Sequence, residues 1–166
     1  PEHYQRVCDY VEIGKLEATL LAGGGRPARL PEGNYLQPTV FADVKPEARI
    51  FQEEIFGPVV ALTPFDTEAE AIALANDVKY GLAGYVWTND LRRGHRVGAA
   101  IEAGMLWLNS HNIRDLRTPF GGVKASGVGH EGGKRSIEFY TNEHIIHVAL
   151  GAVRTPRFGA GEEVSR

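Results

Sequence analysis

Only one cysteine, Cys8, occurs in 166 residues. That excludes an internal disulfide framework and a cysteine-rich metal site, and it fits a reducing compartment. Excess positive charge is also missing: 18 Lys and Arg stand against 21 Asp and Glu, a formal charge of -3. Composition therefore gives no support to nucleic-acid binding. The six histidines are scattered, and no His-x-x-x-His pair falls on a helical stretch, so no metal site is expected. No apolar run approaches membrane-spanning length. The N-terminus, Pro1-Glu2-His3, has neither a basic segment leading into an apolar stretch nor a small-residue cleavage pattern. A cytoplasmic location and a small-molecule or protein partner are the expectations that remain. The missing initiator Met leads us to expect a piece of a longer polypeptide.

What is present suffices for one substantial core, at 43% hydrophobic residues. Val7, Tyr10, Val11 and Leu16 recur at helical spacing between His3 and Glu17, and Ala18 to Leu21 leads as a short strand into Gly23-Gly24-Gly25. Tyr35 to Val44 reads as an extended segment interrupted by Pro38, an edge strand or two short ones. Val59 to Phe65 is a compact apolar run, and Asp66-Thr67-Glu68 places a cap and acids at the start of a helix from about Glu68 to Asn76. Gly84 to Thr88 is strand-like, Asp90 caps a helix carrying Val97 and Ile101, and Gly104 to Leu108 is a further strand. This alternation predicts an α/β layer with parallel strands, whose loops after strand C-termini carry function. Ser110 to Gly133 is such a loop, followed by a helix near Lys134 to Phe139 and an alternating strand from His144 to Leu150. Beyond it, the Gly-, Glu- and Ser-containing end reads as a mobile tail.

Three features invite a chemical reading. Gly127, Gly129 and Gly132 spell G-x-G-x-x-G, but the run Phe120 to Ser126 before it is loop-like where a dinucleotide fingerprint needs a strand, which favours tight turns over a phosphate cradle. Cys8 lies within a helical pattern between Val7 and Tyr10 and reads as a helix-face cysteine rather than a nucleophile. Glu53-Glu54-Ile55-Phe56-Gly57-Pro58 is open to two readings. Gly57-Pro58 can set a turn beside solvated acids; equally, a carboxylate can accept two ribose hydroxyls while an aromatic ring covers a flat heterocycle.

The run Glu53 to Pro58 resembles the E-E-x-F-G-P motif of the aldehyde dehydrogenase superfamily, and Pro119 to Gly132 resembles that family's P-F-G-G-x-K-x-S-G-x-G-x-E-x-G element. Tyr80-Gly81-Leu82 and Trp107-Leu108-Asn109 match further landmarks in the same order. The resemblance covers nearly the whole chain and implies the C-terminal part of the family's α/β catalytic domain, with a mostly parallel sheet and flanking helices. Residues 1–143 would belong to that partial domain, 144–152 to an oligomerisation strand through which subunits of a homo-oligomer pair, and 153–166 to the tail.

Position by position, the resemblance implies that Glu54 holds the nicotinamide ribose hydroxyls of NAD or NADP and that Phe56 packs beside the nicotinamide. His3 falls near a position that also touches the cofactor. Phe120 would line the aldehyde pocket, and Asn109 to Thr118, with Asn112, Ile113, Arg114 and Arg117, would select the far end of the aldehyde substrate. Guanidinium groups suit bidentate capture of a carboxylate; alternatively, Asp115 ties up one arginine in a surface salt bridge. The string Asn109 to Phe120 and the tail Thr155-Pro156-Arg157-Phe158-Gly159 resemble the branch acting on hydroxymuconic semialdehydes. In family members the catalytic cysteine, the general-base glutamate, the oxyanion-holding asparagine and the main nucleotide fold lie upstream of the region matched. The resemblance therefore places no catalytic residue in this chain. It implies an NAD(P)-dependent oxidation, by thiolate attack, hydride transfer and thioester hydrolysis, in which this chain supplies supporting walls, or else a non-catalytic assembly module.

Overall fold

The computed structural model describes residues 1–152; the expected mobile tail, with Thr155 to Gly159, lies outside the described residues. Helix α1 (Glu2–Glu17) buries Val7, Val11 and Gly14, one stripe at helical spacing. Strands β1 (Thr19–Ala22), β2 (Thr39–Ala42) and β3 (Val59–Ala61) form a sheet in that order, β1 antiparallel and β3 parallel to β2. Because side chains alternate along a strand, β2 turns Thr39 and Phe41 inward. Phe41 lies against Gly14, where a Cβ would stand 2.6 Å from its ring. Val44, Ala48, Ile50 of the short α2 (Arg49–Gln52) and Ile55 complete this core. Buried Thr39 is satisfied: its hydroxyl accepts from the Gly24 N–H and donates to the Gln37 carbonyl, both at 2.9 Å.

The expectation that Pro38 marks an edge strand is corrected, because β2 is the middle strand. Pro38 stops one residue short of it, so the ladder loses no donor, and the Thr39 N–H reaches the Pro58 carbonyl at 2.8 Å. Gly23, at φ 75°, is required here, since a Cβ would meet the Pro38 carbonyl oxygen at 2.1 Å.

The second half is built from α3 (Glu68–Asn76), β4 (Tyr80–Gly81), β5 (Ala83–Val86), α4 (Leu91–Ala100), β6 (Met105–Leu108), β7 (Val123–Lys124) and α5 (Gly133–Tyr140). Thr67 and Asp90 cap α3 and α4 by accepting the N–H groups of Glu70 and Arg93. Glu68 bridges to Arg93 and Arg96, tying the two helices together. Strands β5 and β6 are parallel, and β4 and β7 antiparallel.

The α/β class stands, but the single, mostly parallel layer is replaced by three small sheets in which two pairings are parallel and two antiparallel. The strands are only two to four residues long. The expected strand from His144 to Leu150 pairs with nothing among the described residues. A ladder needs a partner backbone, and Ile145, Ile146, Val148 and Leu150 stand exposed instead.

Candidate functional site

The 53–58 loop is clamped from one side of α1. The Arg6 guanidinium donates to the Glu54 carbonyl at 2.8 Å, and His3 Nε2 donates to the Phe56 carbonyl at 2.9 Å. The His3 and Phe56 rings meet edge to face at 6.1 Å. Gly57 is forced by the helix, since a Cβ there would lie 2.6 Å from Val7. Sequence reasoning left His3 weakly placed and missed Arg6 and Tyr10. All three lie on one helical face at spacings of three and four, so helical periodicity could have found them.

The adjacent carboxylates do different things. Glu53 takes Arg49 bidentately at 2.9 and 3.1 Å and accepts the Tyr10 hydroxyl at 2.7 Å. The Arg49 hydrogen bond, then the Tyr10 bond, hold its pKa down at about 2. It fastens the loop. Glu54 is held by its backbone only; no hydrogen bond or ion pair to its carboxylate occurs among the described residues. Phe56 is 71% exposed and sits at φ 57°, a left-handed conformation that a bulky side chain rarely adopts. Glu54 and Phe56, two residues apart on this clamped loop, line different clefts, Glu54 with Tyr80 and Phe56 with His3 and Tyr35; a free carboxylate suits a ribose diol and an exposed ring a flat heterocycle.

A second region lies on the loop after β6. Asn109 (φ 49°) fastens its start by exchanging two hydrogen bonds with the Thr88 backbone, at 2.7 and 2.8 Å. The Trp107 indole N–H donates to the Ile113 carbonyl at 2.8 Å, and the Tyr85 hydroxyl donates to the Asn112 side-chain oxygen at 3.2 Å. Tyr85 stacks on Trp107 with centroids 5.2 Å apart. A cleft of about 310 Å³ opens here, lined by Trp107, Ile113, Arg114, Asp115 and Pro119 among others.

The two arginines do not converge. Arg117 is closed by Asp115, whose oxygens it meets at 2.5 to 3.1 Å; this pairing lowers the Asp115 pKa and raises that of Arg117. Arg114 lies over the Phe120 ring, its guanidinium carbon 4.2 Å from the centroid, with Glu131 at 3.6 Å. Glu131, which sequence reasoning did not single out, is brought there by a backbone bridge with Phe120, at 2.7 and 2.8 Å.

The Gly127, Gly129, Gly132 run does follow a strand, the two-residue β7, and α5 does begin just after it. Both glycines at the start of α5 are instead required by close backbone packing. A Cβ on Gly132 would meet the Thr118 and Leu116 oxygens at 3.1 and 3.4 Å, and one on Gly133 the Arg117 oxygen at 2.3 Å. These glycines thus serve tight backbone approaches, the turn role the run was expected to have. Cys8 is half-buried in α1, and no group of three or more metal-ligating side chains occurs among the described residues. Likewise no helix there is long and apolar enough to cross a membrane.

Comparison with known proteins bears on this geometry. The family model described as "Aldehyde dehydrogenase family" matches residues 1–146. A 2-hydroxymuconic semialdehyde dehydrogenase of Pseudomonas putida is 48% identical over 90% of this chain and 30% of its own length. Among solved structures, HpcC from Thermus thermophilus is 53% identical with a TM-score of 0.84, over 96% of this chain and 32% of that one. Betaine aldehyde dehydrogenase from Staphylococcus aureus in complex with NAD+ is 43% identical with a TM-score of 0.82, over 84% and 28%. The chain thus spans about a third of the length of the curated relatives it matches. With the family model covering nearly all of the described residues, the chain belongs to the aldehyde dehydrogenase family.

Proposed function

We propose that this chain is the C-terminal part of an NAD(P)-dependent aldehyde dehydrogenase that oxidises a carboxylated, hydroxymuconic-type semialdehyde to the acid. The nucleophilic cysteine, the general base and most of the nucleotide site would belong to the remainder of the polypeptide. What carries the reading is that the unpaired Glu54 carboxylate and the exposed Phe56 ring stand two residues apart on a loop fastened by His3, Arg6, Tyr10 and Arg49. When bound, the nicotinamide cofactor accepts a hydride. The share of this chain is positional: Glu54 accepts the ribose hydroxyls and Phe56 borders the ring, so that one face is offered to the substrate. Arg114 and the Phe120 ring favour an aldehyde with a carboxylate at its far end; Asn112 and Ile113 shape that end of the pocket. A cytoplasmic homo-oligomer is the corresponding setting.

The purified 166-residue chain should give no aldehyde-dependent NADH. Robust turnover abolished by Cys8→Ala would overturn the division of labour. In the complete enzyme, Glu54→Gln should raise KM for the cofactor and leave that for the aldehyde nearly unchanged. A second reading, a non-catalytic assembly module, is favoured by the exposed Ile145, Ile146, Val148 and Leu150. A strictly monomeric chain by light scattering at high concentration would count against it.

A further inference from the structure

Tyr85 of β5 and Trp107 of β6 are register partners in the parallel ladder. The ladder itself therefore brings their rings together, 5.2 Å apart with 18° between the planes. The His111 ring also meets Tyr85, with centroids 4.9 Å apart and planes tilted by 42°. The Tyr85 hydroxyl donates to the Asn112 side-chain oxygen at 3.2 Å, and the Asn112 side-chain nitrogen lies 3.2 Å from His111 Nε2. The Trp107 indole N–H holds the Ile113 carbonyl at 2.8 Å. Three successive loop residues, His111, Asn112 and Ile113, are thus fastened through one cross-strand pair, with Asn112 held at φ 55°. Neither a helix nor a strand covers these three residues, so the loop takes its shape from such contacts. Trp107 and Ile113 line the cleft of about 310 Å³, whereas Tyr85 lines the larger one, about 670 Å³, that also takes Glu54.

We infer that Tyr85 is a positioning residue for the aldehyde: it holds in place the cleft wall made by Trp107 and Ile113, without touching the substrate. This rests on the proposed function above, in which the loop after β6 meets the far end of the aldehyde. At 3.2 Å the hydroxyl bond is longer than most of its kind. The two ring contacts therefore carry the larger share of the hold. A wall displaced at the far end weakens the grip on a long aldehyde and leaves that on a short one, and on the cofactor, as it was.

The test uses the complete dehydrogenase with acetaldehyde, pentanal and 5-oxopentanoate. Tyr85→Leu keeps apolar bulk but removes the hydroxyl and both ring contacts. It should raise KM for pentanal about tenfold and change those for acetaldehyde and NAD by less than about twofold. Tyr85→Phe keeps the rings and should raise KM for pentanal about threefold. Asn112→Gly, which retains the left-handed backbone, should raise it at least as much. Adding Tyr85→Phe to Asn112→Gly should raise it no further, because both changes remove one interaction. Should Tyr85→Leu fail to fold, that pair of variants decides, since Tyr85→Phe leaves the stack in place. An unchanged KM for pentanal in Tyr85→Leu, or equal rises for acetaldehyde and pentanal, overturns the inference. Effects of Tyr85→Phe and Asn112→Gly that multiply in the double variant overturn it as well. A wild-type enzyme that treats 5-oxopentanoate and pentanal alike overturns the reading of a carboxylated substrate and leaves the role of Tyr85 standing.

Discussion

The two halves of the chain are packed differently. Every buried residue other than glycine lies between Val7 and Ile55; beyond Ile55 the buried positions among the described residues are Gly81, Gly94, Gly121 and Gly122. The half carrying the Glu53 to Pro58 loop wraps a core, with α1 lying on the sheet. In the other half, β6 is half-buried throughout, and order comes from close backbone approaches and side-chain-to-backbone hydrogen bonds. A motif placed on the first half is held by burial and one placed on the second by local polar geometry, so the two should respond to different substitutions.

Core truncation should separate the halves most. Phe41→Ala removes a side chain with no exposure and is expected to cost about 3 to 5 kcal/mol. Leu106→Ala on half-buried β6 should cost about 1 to 2 kcal/mol. Chemical denaturation of both variants checks the contrast, and equal losses would erase it. Next in size is Gly133→Ala, at φ 57° with the Arg117 oxygen 2.3 Å from the new Cβ. About 2 kcal/mol or more of strain is expected, read as faster hydrogen exchange over residues 114–120 with no change in the α1 amides. Protection that falls equally in α1 would mean that the halves are not separate.

Much of the first half and the helix starts of the second were legible because their signals are local. Thr67 and Asp90 stand where a cap must stand, and α3 and α4 begin at the next residue. Val7 and Val11 repeat at helical spacing, and both are buried. The illegible features depend on pairing. Whether Pro38 borders an edge or a middle strand is decided by β3, some twenty residues on. Strands β4 and β7 are two residues each and exist only because Tyr80 meets Lys124. His144 to Leu150 alternates, yet alternation specifies a face and no partner. At the site, the roles of Arg114 and Arg117 look interchangeable in sequence; they differ because Asp115 closes on one and the Phe120 bridge with Glu131 serves the other.

A pH titration addresses the clamp itself. The folded pKa of Glu53, about 2, lies below its ordinary value of 4.5, so the charged form is the one the fold favours. Its contribution is complete above about 4.5 and is lost as the pH falls from there towards 2. Glu53→Gln should therefore destabilise the chain at neutral pH and flatten the acid limb of stability within that window. An acid limb of unchanged slope would detach the clamp from Glu53.

The smallest expected effect on stability belongs to the residue most exposed to function. Phe56 is 71% exposed and held at φ 57°, so its ring adds little burial while its backbone conformation carries strain. Asparagine tolerates that conformation better than phenylalanine. Phe56→Asn should therefore leave stability within about 1 kcal/mol of the parent by chemical denaturation. In the complete enzyme the same substitution should raise KM for NAD if the ring borders the nicotinamide as proposed. A loss of stability as large as that from Phe41→Ala, with cofactor affinity unchanged, would mean that the ring packs for the fold and that the aromatic of the rim has no part in holding the cofactor.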